Sequence, residues 1–355
     1  MERYINSFST ENDIQIALEN GQLLKPYVAY IEDADKIDWN SKEIVDYTTE
    51  YLTFNILSAG TINWTASNTA LTKTIDYKLN NGEWVSITSN TGSSAPTITV
   101  NSGDKLQFRG NNAQYANSSS YYNSFSGSKA SFEIEGNIMS LIYGDDFKNN
   151  STISGVYVFN GLFRDCAKLV SAENLILPAT TLADSCYYNM FADCAKLTTV
   201  PKLPATTLAK NCYQRMFYGC SSLTSAPELP ATTLANGCYS GMFYNCKSLA
   251  IATELPVTTL AERCYMEMFY NCTSLTSAPE LPATTLANSC YINMFRGCTK
   301  LNYIKCLATD ISATNCTSYW VYGVASTGTF VKNPKMTSWG TGDSGIPSGW
   351  TVQDA

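Results

Sequence analysis

Cysteine is the most regularly placed residue in this chain that could do chemistry. All thirteen cysteines of the 355-residue sequence lie at or after Cys166. Most of them fall into two series whose successive members are 26 residues apart. The first series is Cys186, Cys212, Cys238, Cys264, Cys290 and Cys316, and the second is Cys194, Cys220, Cys246, Cys272 and Cys298. Columns of this kind arise from disulfides, from zinc ligation or from packing in a core.

The spacing of the cysteines favours packing. Cys238 and Cys246 would lie ~12 Å apart along a helix, whereas a disulfide needs Cα atoms within ~7 Å. The Cys-x-x-Cys spacing of zinc sites does not occur. We therefore expect reduced cysteines that behave as small buried hydrophobic residues, with disulfides and zinc as the alternatives.

Three glutamates share one position of the same pattern. They are Glu228, Glu254 and Glu280, and Lys202 takes the equivalent place before them. Carboxylates ~5–10 Å apart can hydrolyse glycosides, and carboxylates also bind cations. Because a regular column gives its members similar environments, it does not separate an acid from a base. The pattern favours a solvated edge, and the three glutamates are candidates for a ligand surface.

The chain contains no histidine. This absence removes Ser-His-Asp and Cys-His catalysis, histidine acid–base chemistry and histidine metal ligation. The sequence also lacks a phosphate loop, a dinucleotide fingerprint and an EF-hand loop. We therefore predict a protein that is not an enzyme and uses no cofactor or metal.

The 26-residue period governs the residues around the cysteines as well. Leu-Pro and Met-Phe each recur five times at this interval, and a fixed period of ~20–29 residues is typical of a leucine-rich-repeat solenoid. Within one repeat, Leu234, Cys238 and Met242 at steps of four predict a short amphipathic helix, and residues 222–226 predict a strand. The expected class is an α/β leucine-rich-repeat solenoid.

The repeats resemble the BspA-like leucine-rich repeats of gut Bacteroidales surface proteins and of their tailed phages. The matching residues are Met-Phe-x-x-Cys-x-x-Leu, from Met216 to Leu223, and Leu-Pro-Ala-Thr-Thr-Leu-Ala, from Leu229 to Ala235. The resemblance covers approximately residues 157–325. It implies binding rather than catalysis, in a family that includes adhesins, surface proteins of unknown role and virion proteins.

The residues before the repeats predict a small all-β sandwich. Asn80-Asn81-Gly82 lies between two alternating segments and is a strong hairpin signal. Six or seven short strands with polar turns are typical of a sandwich. The predicted strands are residues 51–56, 74–79, 83–87, 97–100, 105–109, 131–135 and 138–143.

A polar stretch at residues 111–129 carries four aromatic residues: Tyr115, Tyr121, Tyr122 and Phe125. Aromatic rings on a polar loop can stack on sugar rings, which makes these residues candidates for a glycan-binding surface. The alternative is a surface loop that its own aromatic side chains hold in place.

The net charge of −7 belongs to the first 50 residues. They contain 4 basic and 11 acidic side chains, whereas the remaining 305 residues contain 19 of each sign. The sequence from Lys25 to Tyr30 resembles short N-terminal segments of phage structural proteins, which implies that residues 1–50 attach to other virion proteins. A solvated extension is the alternative. There is no basic patch to meet nucleic acid.

The predicted organisation has four parts. Residues 1–50 are the attachment segment, 51–145 the sandwich, 146–325 the solenoid and 326–355 a C-terminal cap. The opening residues lack the basic and apolar regions of a signal peptide. No apolar run approaches the ~18 residues of a membrane-spanning helix, so we expect neither a cleaved leader nor membrane insertion.

Together these observations predict a non-enzymatic binding or structural protein. The expected role is a phage virion component, either a fibre or a decoration protein, that assembles in the bacterial cytoplasm and recognises a host cell-surface protein or glycan. A homo-oligomer is expected. The alternative is a BspA-like adhesin on the bacterial cell surface, and the third possibility is a glycan-degrading enzyme.

Overall fold

The computed structural model describes residues 7–8, 30–31, 46–337 and 339–355. The chain divides into two compact units, Met1–Asp46 and Tyr47–Ala355. In the first unit, strand β1 (Ser7–Phe8) pairs in parallel with β2 (Tyr30–Ile31). The rest of the predicted attachment segment, up to residue 45, lies outside the described residues.

The second unit consists mostly of strands and loops, with few helices. Within its described residues, 46–337 and 339–355, the one short α-helix is α1 (Ser140–Tyr143), and the 3-10 helices are Tyr47–Thr49, Thr69–Leu71, Gly92–Ser94 and Gly144–Asn149. Its strands are β3 (Leu52–Ile56), β4 (Gly60–Asn63), β5 (Thr65–Ala66), β6 (Thr74–Leu79), β7 (Val85–Thr88), β8 (Thr97–Val100), β9 (Lys105–Arg109), β10 (Asn123–Ser124), β11 (Phe132–Asn137), β12 (Leu169–Ile176), β13 (Tyr303–Cys306), β14 (Thr329–Lys332) and β15 (Thr351–Asp354).

One six-stranded sheet joins the predicted sandwich to the first repeat. Its order is β12-β11-β3-β9-β6-β7, and two small sheets pair β4 with β8 and β5 with β10. The β6–β7 hairpin is confirmed, and Asn80 between the strands has a φ of 51°. All pairs of this sheet are antiparallel except β11–β12. That parallel pair is where the chain passes into the repeats.

The predicted strand at residues 138–143 is wrong, because this segment contains helix α1. Its side chains do not alternate between core and solvent, since Ile138, Met139 and Leu141 are all buried. The Ser140 hydroxyl donates to the carbonyl of Phe108 at 2.9 Å and accepts from the amide of Leu52 at 3.0 Å. These two bonds fix the helix against the sheet.

The predicted helix of each repeat is also wrong. The expected α/β class is therefore not observed, because the repeats contain turns where helices were predicted. Residues 237–246 form successive turns in which every fourth residue has a positive φ: Gly237 (63°), Gly241 (61°) and Asn245 (59°). An α-helix repeats every ~3.6 residues and keeps φ negative. The apolar side chains at steps of four instead follow a turn that repeats every four residues.

Alternate residues in these turns form two kinds of hydrogen bond. The amide of Cys238 donates to Ala235 O at 3.2 Å, within the repeat, and the amide of Tyr239 donates to Cys264 O at 3.1 Å, in the next repeat. Met242 and Phe243 repeat the alternation at 3.1 Å and 2.9 Å. Half of the turn amides thus close the turns, and the other half join neighbouring repeats in register.

The segments between the turns pair only sparsely. The prediction of a strand at residues 222–226 is wrong: the β pairing of this segment with the next repeat is a single parallel bridge between Ser225 and Ile251. Thr233 likewise forms a single parallel bridge, with Thr207 of the preceding repeat. Longer parallel pairing appears only at the two ends of the repeats, at β12 and at β13.

Stacked rings form the core of the repeats. One series runs through Phe163, Phe191, Phe217, Phe243, Phe269 and Phe295 at centroid distances of 5.3 to 5.8 Å. A second runs through Phe159, Tyr187, Tyr213, Tyr239, Tyr265 and Tyr291 at 5.7 to 6.3 Å. Every repeat therefore places the same two rings on those of its neighbours.

Each end of the ring series is covered by other aromatic side chains. At the start, Phe163 stacks on Phe125 at 5.7 Å. At the other end, both series reach Trp320, which stacks on Trp339 at 5.8 Å. Strands β13, β14 and β15 pair in parallel beyond the last complete repeat. Residues after 326 thus continue the pairing and bury the final rings.

We expect the left-handed residues to tolerate glycine and to reject β-branched side chains. Asn315 has a φ of 54° and is exposed, so its substitution tests backbone conformation rather than lost packing. Asn315→Val should lower the free energy of unfolding in urea by about 1–2 kcal/mol, whereas Asn315→Gly should change it by less than about 0.5 kcal/mol. Equal stability of the two variants would contradict the turn structure.

Candidate functional site

The cysteines lie in the core and are not joined to one another. All thirteen are buried and none is joined to another, so their burial agrees with the predicted packing role. In the second series each thiol also donates a hydrogen bond to a phenylalanine carbonyl of the preceding repeat. Cys246 Sγ lies 3.1 Å from Phe217 O, and Cys272 Sγ lies 3.1 Å from Phe243 O. Cysteine at this position therefore adds a link between repeats that alanine would lack.

The buried thiols are poor nucleophiles. Burial raises the pKa of Cys186, Cys238 and Cys298 to about 12, from an ordinary value of about 9. Because the thiolate is the reactive form, these side chains remain protonated and unreactive at neutral pH.

The predicted glutamate column lies on the surface. Glu228, Glu254 and Glu280 are all exposed, and Glu280 forms an ion pair with Lys305 at 3.0 Å. In the part of the chain that the structure describes, no group of three or more Cys, Asp or Glu side chains is arranged to hold a metal ion. The three glutamates are therefore not gathered into a site, although their exposure leaves them available to a partner.

For two of the four aromatic residues that were candidates for glycan binding, the predicted surface position is wrong. Tyr115 and Phe125 are fully buried, so neither ring can stack on a sugar. The Tyr115 hydroxyl donates to Leu141 O at 2.6 Å, and Phe125 packs on Phe54, Phe108 and Trp64 at 4.8 to 4.9 Å. These rings belong to the core beneath the loop.

The other two aromatics of that loop lie at the surface. The side chain of Tyr121 is 47% exposed. Tyr122 is half-buried against Gly161, where an added Cβ would lie 2.8 Å from the ring, and the guanidinium of Arg164 lies 5.5 Å above it. Tyr121 thus stays a candidate for ligand contact, whereas Tyr122 packs on the first repeat.

The sequence analysis missed a row of side chains on the outside of the turns. The row occupies the position two residues before Cys220, Cys246, Cys272 and Cys298, and the equivalent position before Val324. We call it the tyrosine–arginine row. The rings of its first two tyrosines stack at 4.8 Å, and those of its second and third stack at 4.3 Å. Its members are Tyr218, Tyr244, Tyr270, Arg296 and Tyr322.

Arg296 lies among aromatic rings at one end of this row. Its guanidinium is 4.8 Å from the Tyr322 ring and 5.8 Å from the rings of Tyr270 and Tyr319. Tyr319 and Tyr322 are 52% and 47% exposed. Cation–π contacts of this kind hold a flexible arginine in place, so the row ends in an exposed and preorganised aromatic cluster.

Charged neighbours flank the middle of the row. Arg215 Nη2 lies 3.9 Å from Glu267 Oε2, two repeats away. Partial burial, together with the neighbouring Tyr270 hydroxyl, raises the pKa of Tyr244 to about 12. The Tyr244 phenol therefore stays protonated at neutral pH and presents a hydrogen-bonding hydroxyl.

The side chains of the row are of types that suit binding to a partner. Tyrosine and arginine are enriched in binding surfaces because they supply large contact areas and directed hydrogen bonds. A signal for the row was present in the sequence, since Tyr218, Tyr244 and Tyr270 are 26 residues apart. The helix prediction did not show that these three tyrosines lie side by side on the outside of the repeats.

Comparisons with protein-family models, with curated proteins and with solved structures found no match to this chain. Among the described residues, no helix combines the length and the apolar character that crossing a bilayer requires.

The raised thiol pKa values predict a loss of stability in alkali. The unfolded thiols deprotonate near pH 9 while the native ones hold their protons to about pH 12. Stability from these groups is therefore complete below pH 9 and falls as the pH rises toward 12, by up to about 1.4 kcal/mol per pH unit for each thiol. Urea unfolding at several pH values between 8 and 11, with a reductant present, measures this fall.

Thiol titration provides the control for that measurement. At pH 8 the cysteines of the native protein should hardly react with a thiol reagent. In denaturant, without added reductant, thirteen thiols per chain should react. Fewer free thiols in denaturant, or a stability that does not change up to pH 11, would contradict the buried reduced state.

Proposed function

We propose that this chain is a non-enzymatic binding protein whose repeats form a BspA-like leucine-rich-repeat solenoid behind a β-sandwich. The in-register hydrogen bonds between residues one repeat apart, such as Tyr239 N to Cys264 O at 3.1 Å, support the solenoid. The six-stranded sheet with its two small companions supports the sandwich. Helices are no part of this proposed solenoid, because its turns carry a left-handed residue at every fourth position.

The observation that carries the binding function is the tyrosine–arginine row. A core built from identical positions needs no exposed aromatic residues for its stability, yet Tyr319 and Tyr322 are 52% and 47% exposed around Arg296. Exposed aromatic and arginine clusters are typical of interaction sites. A stacked array holds such a cluster on a rigid face, which lowers the entropy lost on binding.

We further propose a role in a virion, as a fibre or decoration protein that recognises a bacterial host surface. Two sequence features support this role: the resemblance of the repeats to proteins of gut Bacteroidales and their phages, and the similarity of Lys25 to Tyr30 to phage structural proteins. Residues 1–50 would attach the chain to other virion proteins, and oligomerisation would multiply weak contacts with the host.

We expect the tyrosine–arginine row to mediate attachment to host cells. The purified chain should bind cells of a host strain and block phage adsorption, and Arg296→Ala combined with Tyr322→Ala should weaken this binding at least ~10-fold, as expected for residues at the centre of an interface. Cell binding by flow cytometry and an adsorption assay measure the two effects. The matched control is Lys300→Ala combined with Tyr303→Ala, a cation and an exposed tyrosine outside the row.

Mass spectrometry of purified phage particles separates the two proposed locations. Detection of the chain in particles supports the virion role, whereas its recovery only in the cell envelope would favour the bacterial adhesin. Turnover of host polysaccharide that Glu228→Gln or Glu254→Gln abolishes would overturn the non-enzymatic proposal.

A further inference from the structure

One repeat departs from the others on the outside of the turns. Gly237, Ser240 and Gly241 are small residues at positions where the repeats on either side carry long side chains. Gly237 and Ser240 take the places of Asn211 and Gln214 in the preceding repeat. In the following repeat the same two places hold Arg263 and Met266. The departure leaves a depression in an otherwise regular surface.

A groove of about 400 Å³ lies at this depression. Its floor contains Gly237 and Ser240, both of which are buried, and its walls come from the neighbouring repeats. The volume falls within the range of small-ligand sites, ~300–1,000 Å³. Six side chains that carry the argument line it: Lys210, Gln214, Ser240, Glu262, Arg263 and Met266.

Backbone hydrogen bonds hold the walls in place. The amide of Asn211 donates to Asn236 O at 3.0 Å, and the amide of Gly237 donates to Glu262 O at 2.9 Å. These bonds fix three consecutive repeats at the spacing that forms the groove. A ligand would therefore meet a site that is already shaped, without ordering a flexible loop.

A contact between distant repeats adjoins this groove. Arg215 packs over Gly241, where an added Cβ would lie 3.1 Å from Arg215 Cγ. Beyond the glycine, Arg215 Nη2 comes within 3.9 Å of Glu267 Oε2. The absence of a side chain at Gly241 thus lets two charged residues approach each other across the small repeat.

Among the described residues, the groove has one cation outside any ion pair, that of Lys210, whose backbone amide donates to Asp184 Oδ1 at 3.0 Å. Glu262 Oε1 lies 3.4 Å from Arg263 Nε, so these two charges offset each other. Lys210 lies at the opposite wall, and none of the ion pairs between residues of the described ranges includes it. Because charged groups steer and retain ligands of opposite sign, an anionic group is expected near Lys210.

The remaining lining is polar and suits a ligand rich in hydroxyl groups. Ser240, Gln214 and Asn236 provide donors and acceptors, and Met266 supplies the one apolar side chain in the groove. A hydrophobic peptide side chain would leave most of these polar groups without partners, which costs binding energy. A sugar ring offers many hydroxyls and a small apolar face.

We propose that this groove binds an acidic oligosaccharide, with a sugar carboxylate on Lys210 and sugar hydroxyls on the polar side chains of the floor and walls. Assigning that oligosaccharide to a host surface rests on the proposed recognition function. The groove itself is argued from its own residues, and none of the residues that line it belongs to the tyrosine–arginine row.

The test measures binding of the full chain to defined oligosaccharides. The probes contain glucuronic, galacturonic or sialic acid, and each is paired with its carboxyl-reduced neutral counterpart. Two variants borrow residues from equivalent positions of other repeats: Lys210→Asn removes the cation, and Ser240→Gln fills the floor. Matched controls outside the groove are Lys247→Asn and Ile292→Gln, the latter at the Ser240 position two repeats further on.

We expect at least one acidic probe to bind, and its carboxyl-reduced form to bind at least ~10-fold more weakly. Lys210→Asn and Ser240→Gln should each lower the affinity at least ~10-fold, with the control variants within about twofold. Circular dichroism and thermal unfolding show that each variant is folded. If Ser240→Gln does not fold, the affinity of the Lys210→Asn variant still tests the proposal, because Lys210 is exposed.

Three results would overturn the proposal: no acidic probe binding at about 1 mM, binding that neither groove variant changes, or tighter binding of a hexaglutamate peptide, which would make the ligand an acidic peptide. If host cells still bind the chain through the tyrosine–arginine row in any of these cases, the groove proposal fails alone. If the oligosaccharide binds but host adsorption is unaffected by the chain, the recognition role fails and the groove stands.

Discussion

The division of the turn amides between two kinds of partner is the constraint on which the repeats depend. One amide closes its own turn and the next donates to the following repeat, as Cys238 and Tyr239 do. This alternation needs a turn every four residues, and the turn needs a left-handed residue at each fourth position. The same geometry sends two consecutive side chains inward and leaves two outward. The rings of one repeat therefore fall on those of the next.

A stack of this kind has two ends that must be covered, because a repeat with a neighbour on one side only would expose its rings. At the first end the cover comes from the β-rich part of the same unit, where Phe125 lies on Phe163 and strand β11 pairs with β12. At the other end Trp320 receives both ring series and meets Trp339. The aromatic residues that resembled a ligand-binding loop in the sequence thus serve mainly to close the core.

Sequence patterns predicted the β-rich part better than the repeats, for a physical reason. Strands such as Thr97–Val100 alternate strictly between core and solvent, and that period has one structural meaning. Apolar residues at steps of four fit both a helix and a four-residue turn. The residues that decide between them are Gly237, Gly241 and Asn245, but Arg263 and Glu267 fill two of the equivalent left-handed positions and obscure the signal. Tyr115 was misplaced because only tertiary contacts bring its hydroxyl to Leu141 O.

The stability of the repeats depends on their regular inward residues, so the outward residues are free to vary. Residues that stabilise the core and residues that could contact a partner therefore occupy different positions. Every repeat needs the same inward cysteine, methionine and ring, so these positions carry no information about a partner. Outward positions have no such requirement, and in them Tyr244 differs from Arg296 and Ser240 differs from Met266. A ligand that contacts three repeats at once meets a combination of side chains that occurs at one place only. Specificity in such an array therefore resides where the repeats differ, and a small residue between two long ones creates a concave site without disturbing the core beneath it.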